Sequence, residues 1–321
     1  MSHFDVFNGD ADGICALHQL RLADPRQGVL VTGIKRDIAL LARVQAKAGD
    51  SVTVLDVSMA RNREALLDLL AQGVRIQYFD HHFTGDPLAH PRLQLCIDTA
   101  PDVCTSVLVD RYLGGRHRLW AIVGAYGDNL PATAHALVQG TDLQPAAAVS
   151  LRRLGEAINY NAYGDSEADL LLPPARLYER VRPYASPFDF IEREPLVAAL
   201  TARQREDLAH AEGMVPFAVL PGGSVFLLPE AAWARRVQGA FANVLSLRAP
   251  EAAHAVLREA APGLLLVSVR APQNDPRRAD HLCRSFPTGG GRAAAAGIDR
   301  LAKAQLPEFI SAFAQAYPGP G

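Results

Sequence analysis

Short apolar runs alternate with helical patterns over the first 130 residues, and this alternation limits the fold more than any other feature of the sequence. Strands are predicted at residues 4–8, 29–34, 51–57, 74–79, 93–97 and 119–124. Helices are predicted between them, at residues 14–23, 38–47, 61–71 and 104–113. Such alternation indicates βαβ units, in which a mostly parallel sheet is covered by helices on both faces. An α/β domain is therefore expected at the N-terminus.

The remainder of the chain predicts a second, smaller α/β domain. Residues 132–211 have helical patterns that several prolines interrupt, as in a connecting region. A hairpin is expected where Pro221-Gly222-Gly223 separates two β-prone runs, at 217–220 and 225–228. Further elements are a buried strand at 264–269 and helices at 231–247, 252–260, 293–304 and 308–316. We place the two domains at residues 1–190 and 214–321.

Composition narrows the class of protein. The 32 Lys and Arg residues nearly balance the 34 Asp and Glu residues, which argues against a protein that coats long nucleic acids, although a local basic patch stays open. The four cysteines form no C-x-x-C pair and are expected to be reduced, packed thiols. The N-terminus lacks the features of a signal peptide, and no apolar run reaches the ~18 residues that span a bilayer. A cytoplasmic enzyme is expected.

Two aspartates follow the first predicted strand in a glycine-bounded turn, Gly9-Asp10-Ala11-Asp12-Gly13. Asp10 and Asp12 are separated by one residue, so both carboxylates can face a common cation. The turn does not fit a calcium-binding EF-hand loop, because Ile14 occupies the next ligand position and no Glu stands at the twelfth. An N-cap role would account for Asp12 but would leave Asp10 unexplained.

Acids or histidines also follow three other predicted strands. Asp56 is embedded in the apolar run Val54-Leu55-Asp56-Val57, where a lone carboxylate is costly to bury. Asp80-His81-His82 ends the fourth strand, and Asp128 comes shortly after residues 119–124. Because the carboxyl ends of parallel strands share one edge of a sheet, these side chains are expected to converge on a divalent metal. Taken singly, each could instead cap a helix or be solvated.

As a set, these motifs resemble the DHH phosphoesterase superfamily. The match consists, in order and rough spacing, of Gly9-Asp10-Ala11-Asp12-Gly13, Asp56, Asp80-His81-His82 and Asp128. In the C-terminal part, Gly289-Gly290-Gly291-Arg292 and the alanines after it resemble the glycine-rich motif of the associated DHHA1 domain, and Ser268-Val269-Arg270 resembles its substrate-binding strand. The resemblance covers both predicted domains, whereas the proline-interrupted region between them matches no motif.

The resemblance implies an active site in the cleft between a DHH domain and a DHHA1 domain, with manganese-dependent hydrolysis of phosphate esters or anhydrides. Two Mn²⁺ ions about 3.5–4 Å apart would share a hydroxide, with Mg²⁺ as an alternative. The implied ligands are Asp10 and Asp56 for one ion, and Asp12, Asp56, His81 and Asp128 for the other. The implied catalytic residues are His82, facing the phosphate, and Asp80, orienting a histidine. The residues implied to bind the far end of the substrate are Arg270, Gly289, Gly290, Gly291 and Arg292.

Two positions depart from the family's pattern. The family often has a His four residues before the first Asp of its D-x-D motif, where this chain has Val6, so one metal loses a ligand or recruits Asn8 or water. A His usually follows the glycine triplet, and Arg292 stands there instead, which still binds oxyanions. The triplet could also be a flexible linker, although a glycine-rich turn before an alanine-rich helix is an anion-binding arrangement.

The function favoured at this point is a Mn-dependent phosphoesterase of short nucleotides or oligonucleotides, acting as an exonuclease, a phosphodiesterase or a phosphatase of nucleotide bisphosphates. One alternative is a non-nucleotide or cyclic-dinucleotide substrate, and another is a nucleotide-binding protein with impaired turnover. The segment Asn159–Gly164 either lines the cleft, with aromatic faces for a base to stack on, or is an ordinary polar turn. The oligomeric state stays open, with a homodimer as one option.

Overall fold

The structure is a computed structural model that describes residues 1–275 and 278–319. The chain divides into two compact units, Met1–Ala202 and Arg203–Gly321. Each unit contains its own sheet, so the predicted class, α/β with two domains, is confirmed. Among the described residues, no helix is both long enough and apolar enough to cross a membrane.

The first unit is built on a five-stranded sheet in which all neighbouring strands are parallel, in the order β2-β1-β3-β4-β5. Its strands are β1 His3–Phe7, β2 Val29–Val31, β3 Ser51–Leu55, β4 Arg75–Asp80 and β5 Leu93–Ile97. Its helices are α1 Ala11–Ala23, α2 Arg63–Ala71, α3 Thr105–Tyr112, α4 Arg118–Gly127, α5 Pro131–Gln139, α6 Pro145–Tyr160, α7 Pro174–Val181 and α8 Pro187–Arg193, and the unit boundary falls within α9, Pro195–Glu212.

Both faces of this sheet are buried, which explains the nearly continuous apolar strands. Alternate residues of each strand face opposite sides. Phe7 and Phe79 pack in the core that contains α1, α4 and α6, whereas Val6 and Tyr78 pack in the core on the α2 side. Strand order reverses between β1 and β3, and in open α/β sheets ligands bind outside the carboxyl ends of the strands at such a point.

Two predictions for the first unit are wrong. The expected strand at 119–124 is part of α4, so Asp128 follows a helix and not a strand. Six consecutive residues there are buried, and a continuous apolar run of that length does not distinguish a buried helix from a buried strand. The helix predicted at 38–47 is reduced to a 3₁₀ turn at Leu40–Arg43.

The second unit has a mixed six-stranded sheet in the order β10-β11-β9-β8-β7-β6. Among the described strands of this unit, β7 and β8 pair in parallel and the other neighbours are antiparallel. The strands are β6 Ala218–Leu220, β7 Gly223–Leu228, β8 Ala253–Ala261, β9 Leu264–Arg270, β10 Gly289–Gly291 and β11 Ala295–Ala302, and the helices are α10 Ala232–Arg248, α11 Ala279–Arg284 and α12 Leu306–Ala316.

The predicted hairpin forms between β6 and β7, but the helices predicted at 252–260 and 293–304 are wrong. These segments are β8 and β11, which flank β9 in the middle of the sheet. Their many alanines favour a helix locally, and burial in a sheet overrides that preference. The glycine triplet is consequently an edge strand, β10, that pairs with β11, and it does not lead into a helix.

Candidate metal centre

The turn after β1 brings Asp10 to the N-terminus of α1. Its Oδ1 accepts hydrogen bonds from the backbone amides of Asp12 (3.0 Å) and Gly13 (3.1 Å), so Asp10 caps the helix. Gly9 is required before it, because a β-carbon at this position would collide with the carbonyl oxygen of Gly33. The end of β1 and the loop after β2 therefore touch backbone to backbone.

Asp12 lies in the first turn of α1 and is fully buried. Its two carboxylate oxygens accept from the amides of Thr105 and Ser106, each at 2.7 Å. These amides open α3, where the helix dipole favours a negative charge. The N-terminus of α3 thus holds Asp12 in one orientation, and each oxygen keeps a second lone pair for a cation.

Asp56 follows β3 in a left-handed backbone conformation, with φ of +59°. Aspartate tolerates this region better than most residues, and strain of this kind is common at functional sites. The Thr105 hydroxyl donates to Oδ1 (3.2 Å), and His81 Nε2 lies 3.4 Å from the same atom. Burial, followed by the charges of other aspartates, Asp12 first, raises the pKa of Asp56 well above its usual value.

Asp80, the last residue of β4, contacts the backbone of His81 and the side chain of His82. Its Oδ1 accepts from the backbone amide of His81 (2.9 Å) and lies 2.7 Å from His82 Nδ1. The two imidazole rings are 4.3 Å apart. Burial disfavours a charged His82, but the hydrogen bond to Asp80 and the surrounding carboxylates outweigh it and raise the pKa of His82. Asp80 therefore contacts His82 through the imidazole Nδ1.

Asp128 reaches the same place from the end of α4. Its Oδ2 lies 3.9 Å from His81 Nε2. The next residue, Asn129, has a φ of +59°, so the backbone turns sharply here. Burial and the charges of Asp12 and Asp10 raise the pKa of Asp128 to about 6, against the opposing effect of Lys35.

Lys35, which the sequence analysis did not single out, projects into this cluster of acids from the loop after β2. Its Nζ lies 2.5 Å from Asp10 Oδ2, 3.2 Å from Asn159 Oδ1 and 3.5 Å from Asp128 Oδ1. The Tyr163 ring centroid is 5.7 Å away. Burial opposes the charge, but the carboxylates, Asp10 first, raise the pKa of Lys35 well above its usual value.

The donor atoms fit a divalent cation. Two overlapping groups place their ligand atoms within 4.8 Å of one another, and both contain His81. The first group is Asp12, His81 and Asp128, and the second is Asp56, His81 and His82. Carboxylate oxygens with imidazole nitrogens suit manganese, magnesium or a similar ion. The raised pKa values of Asp56 and Asp128 also indicate that a positive charge is needed beside these two carboxylates.

Asp10 fits less well as a ligand of a further ion. One of its oxygens accepts from two amides and the other is paired with Lys35. Asn8 is also engaged, since its side chain accepts from the Asp10 amide (3.2 Å) and donates to the Lys35 carbonyl (3.2 Å). Val6 is buried in the core and supplies no ligand. At the second metal site that the resemblance implies, Asp10 could therefore offer a cation only Oδ2, which already pairs with the Lys35 ammonium.

Several residues of this site escaped the sequence analysis, although weak signals for them exist. Lys35 closely follows a predicted strand, as the aspartates do. Thr105 and Ser106 begin a predicted helix at which hydroxyl residues are common. Asn159 and Tyr163 belong to the polar aromatic segment 159–164, which contacts Lys35 through both side chains and the Ala162 carbonyl.

The residues expected to bind substrate lie in the second unit. Arg270 ends β9, and its guanidinium donates to Asn243 Oδ1 (2.8 Å), Ser268 Oγ (3.0 Å) and the Val269 carbonyl (3.1 Å). Arg292 is exposed in the turn after β10. Gly289 must be glycine, since a β-carbon would collide with the Cys283 carbonyl oxygen, while the space beside Gly290 is open.

Solved structures share this fold, although no protein-family profile and no curated protein matches the sequence. The manganese-bound exonuclease RecJ has a TM-score of 0.63 and 19% identity over 98% of this chain and 90% of its own. RecJ from Thermus thermophilus with Mn²⁺ gives 0.59 and 17%, covering 99% of this chain and 52% of that one. The pGpG-specific phosphodiesterase PggH from Vibrio cholerae gives 0.56 and 13%, covering 98% and 99%.

Both RecJ and PggH are members of the DHH/DHHA1 superfamily. The fold of this chain is thus the fold that RecJ and PggH share, and it agrees with the fold that the motifs imply. At identities below 20%, the likeness shows the fold alone.

Proposed function

We propose that this protein is a metal-dependent phosphoesterase that hydrolyses phosphodiester or phosphomonoester bonds of short nucleotides or oligonucleotides. The observation that carries the proposal is the convergence of Asp12, Asp56, His81, His82 and Asp128 at the switch point of a parallel sheet. The shared fold supports it, because RecJ is an exonuclease and PggH a phosphodiesterase of pGpG.

The residues proposed to hold the cation are Asp12, Asp56, His81 and Asp128, with Mn²⁺ as the preferred ion and Mg²⁺ as the alternative. The RecJ structures contain these two ions. When bound, such a cation lowers the pKa of a coordinated water and neutralises charge on the phosphate. The amides of α3 and the Thr105 hydroxyl fix two of the carboxylates in advance, so little reorganisation is needed.

His82 is proposed to protonate the oxygen of the leaving group. Its Nδ1 faces Asp80, which leaves Nε2 as the atom that can transfer a proton. Asp80 holds the imidazole in place and favours its protonated form. His82 is 44% exposed at its side chain, so a substrate can reach it, whereas Asp80 is fully buried.

Arg270, Arg292 and the amides of β10 are proposed to bind a second phosphate or the base end of the substrate. On an edge strand, alternate amides point away from the paired strand. The Gly289 amide already donates to the Phe286 carbonyl (3.1 Å), so the Gly291 amide is the one proposed to meet an anion. Arg292, which is exposed, adds a bidentate donor, and Arg270 adds positive charge. The nearly balanced charge of the chain favours short substrates over long strands. We also propose a cytoplasmic location, in keeping with the four free cysteines.

The proposal is tested with purified protein and Mn²⁺ against pGpG, short oligonucleotides, nucleotide bisphosphates, cyclic dinucleotides and long single strands. We expect release of mononucleotides or phosphate, fastest with the shortest linear substrates. Asp56→Ala should be inactive, and Asp68→Asn, a change at an exposed acid on α2, should behave as wild type. Equal rates for wild type and Asp56→Ala on every substrate would refute hydrolysis at this site.

Three outcomes separate the alternatives. Hydrolysis of cyclic dinucleotides alone would favour the second substrate class. Binding of nucleotides with Mn²⁺ but without turnover would favour a binding protein. Turnover of long strands, with binding that weakens steeply as salt increases, would favour a processive exonuclease.

A further inference from the structure

Lys35 stands where a second cation would have to bind. A metal between Asp10 and Asp56 would have to bind Asp10 at Oδ2, because two amides already donate to Oδ1, and the positive Lys35 ammonium lies 2.5 Å from that Oδ2 atom. The same ammonium contacts Asp128, a member of the metal-binding group. Lys35 therefore pairs with Asp128, a carboxylate that would also hold the proposed metal.

The position of Lys35 is fixed by the backbone as well as by its side chain. The Lys35 amide donates to the Ala162 carbonyl (3.0 Å), and the Lys35 carbonyl accepts from the Asn8 side chain (3.2 Å). The contact of Gly9 with the Gly33 carbonyl holds the same loop against the end of β1. Hydrogen bonds from two other segments of the chain, at Asn8 and Ala162, thus fix the backbone of this lysine.

The choice of lysine is also informative. The chain contains only three lysines among its 32 basic residues. Lys47 is exposed, and Lys303 pairs with Glu259 at the surface of the second unit, so Lys35 is the one that lies among buried acids. An ammonium is a compact point charge that fits between oxygens converging from several directions, whereas a planar guanidinium suits bidentate pairing with one carboxylate.

We infer that the Lys35 ammonium takes the place of the second metal ion, so that this protein binds one divalent cation per active site. The ammonium supplies the second positive charge that the phosphate meets. Its side chain is 26% exposed, which leaves room for a phosphate oxygen to approach Nζ. Val6 agrees with this arrangement, because a histidine there would have no metal to bind.

The inference rests on the proposed function for its role in turnover, but the number of bound ions can be measured without a substrate. Metal-free, full-length protein is titrated with Mn²⁺ by calorimetry, and the bound ion is observed by electron paramagnetic resonance. We expect one ion per chain and the spectrum of an isolated Mn²⁺. Two ions per wild-type chain, or the spectrum of an exchange-coupled pair, would overturn the inference whether or not any substrate is hydrolysed.

A charge-removing variant tests the role of the ammonium. In Lys35→Met, turnover at one equivalent of Mn²⁺ should fall by about 100-fold, the effect of losing one preorganised charge. High Mn²⁺ should restore part of that turnover by filling the vacated place next to Asp10, and a second ion should appear in the titration. Full activity of Lys35→Met with a single ion would contradict the inference.

Two further variants keep the test independent of folding defects. Lys47→Met, at the exposed lysine, should behave as wild type in both measurements. The double variant Asp10→Asn with Lys35→Met removes both members of the ion pair, so it leaves no unpaired carboxylate to destabilise the fold. It should bind one ion and show no rescue by high Mn²⁺, and rescue that survives in the double variant would overturn the role assigned to this place.

Discussion

Two buried clusters of charged side chains lie along β1, and they differ in charge balance. In the middle of the strand, Asp5 forms a bidentate pair with Arg21, with contacts of 2.6 and 3.2 Å, and His3 and Thr53 complete the network. The second cluster, beyond the end of the strand, contains the carboxylates of Asp10, Asp12, Asp56, Asp80 and Asp128. Among the described residues, Lys35 is its one lysine or arginine, and it pairs with Asp10 and Asp128.

The pKa shifts follow this difference. Hydrogen bonds from His3 and Arg21 overcome the effect of burial and lower the pKa of Asp5, whereas burial and neighbouring acids raise that of Asp56. In a cluster that neutralises itself, the removal of one partner destabilises the fold, whereas a cluster with unbalanced charge costs stability until a ligand neutralises it. The comparison indicates a structural role for the first cluster and supports the cation binding proposed for the second.

The largest expected effect is on turnover, from the unbalanced cluster. Asp56→Asn removes a metal ligand and should lower the rate of hydrolysis by at least about 10⁴-fold, since the cation stabilises several kcal/mol of developing charge. Mn²⁺ affinity should fall with it, as measured by calorimetry, while the metal-free protein should be no less stable. Loss of stability without loss of metal binding would place Asp56 with the structural cluster.

The balanced cluster should respond in the opposite way. Asp5→Asn leaves Arg21 buried without its anionic partner, and breaking such a pair costs roughly 3–5 kcal/mol of unfolding free energy. Urea denaturation of the metal-free protein measures this loss. The number of Mn²⁺ ions bound should not change. A change in that number with no loss of stability would undo the distinction between the clusters.

The substitution Asp80→Asn should lower the rate of hydrolysis without changing Mn²⁺ binding. Asp80→Asn weakens the hydrogen bond that orients His82, and loss of such a supporting partner typically costs about 10–100-fold in activity. The pKa of His82 should fall, so the alkaline limb of the pH–rate profile should move to lower pH. Unchanged Mn²⁺ binding is the control, and an unshifted profile would show that His82 is not the proton donor.

The smallest effect concerns the pH dependence of stability in the metal-free protein. The pKa of Asp128 is raised to about 6 in the folded protein. The contribution of Asp128 to the free energy of unfolding is therefore fully present below the usual aspartate pKa of 3.8 and is lost as the pH rises through 6. Asp128→Asn should therefore match wild type near pH 4 and be more stable near pH 8, by on the order of 1–2 kcal/mol.

Melting temperatures of metal-free wild type and Asp128→Asn measure this difference. Groups that titrate in both proteins affect them equally and cancel in the comparison. Mn²⁺ should reverse the order at pH 8, because it stabilises the wild type and requires an ionised Asp128. Its affinity should weaken as the pH falls below about 6. A variant that stays less stable than wild type at pH 8 without metal would contradict the unbalanced charge assigned to Asp128.

The sequence was enough to predict the sheet of the first unit and the acids at its edge, because alternation and strand ends are local patterns. Asp128 was placed at the edge for the wrong reason, since a fully buried helix reads like a strand. The strands β8 and β11 were missed because their alanines favour helices and only pairing with β9 makes them strands.

Lys35 could not be recognised for a different reason. A lysine after a short strand is ordinary in sequence, and its meaning comes from contacts with Asp10, Asp128 and Asn159, which are 25, 93 and 124 residues away. Such pairings depend on the tertiary fold and leave no periodic signal. The charge balance of the site therefore became visible only with the structure.

Anomalous diffraction from crystals soaked in Mn²⁺ tests the central claim most directly. We predict one strong peak among Asp12, Asp56, His81 and Asp128, with Lys35 still paired to Asp10, and no peak at the Asp5 and Arg21 cluster. Absence of a peak at the acid cluster would contradict the metal centre. A second peak beside Asp10, with Lys35 displaced, would restore a two-metal site and contradict the assignment of its place to Lys35.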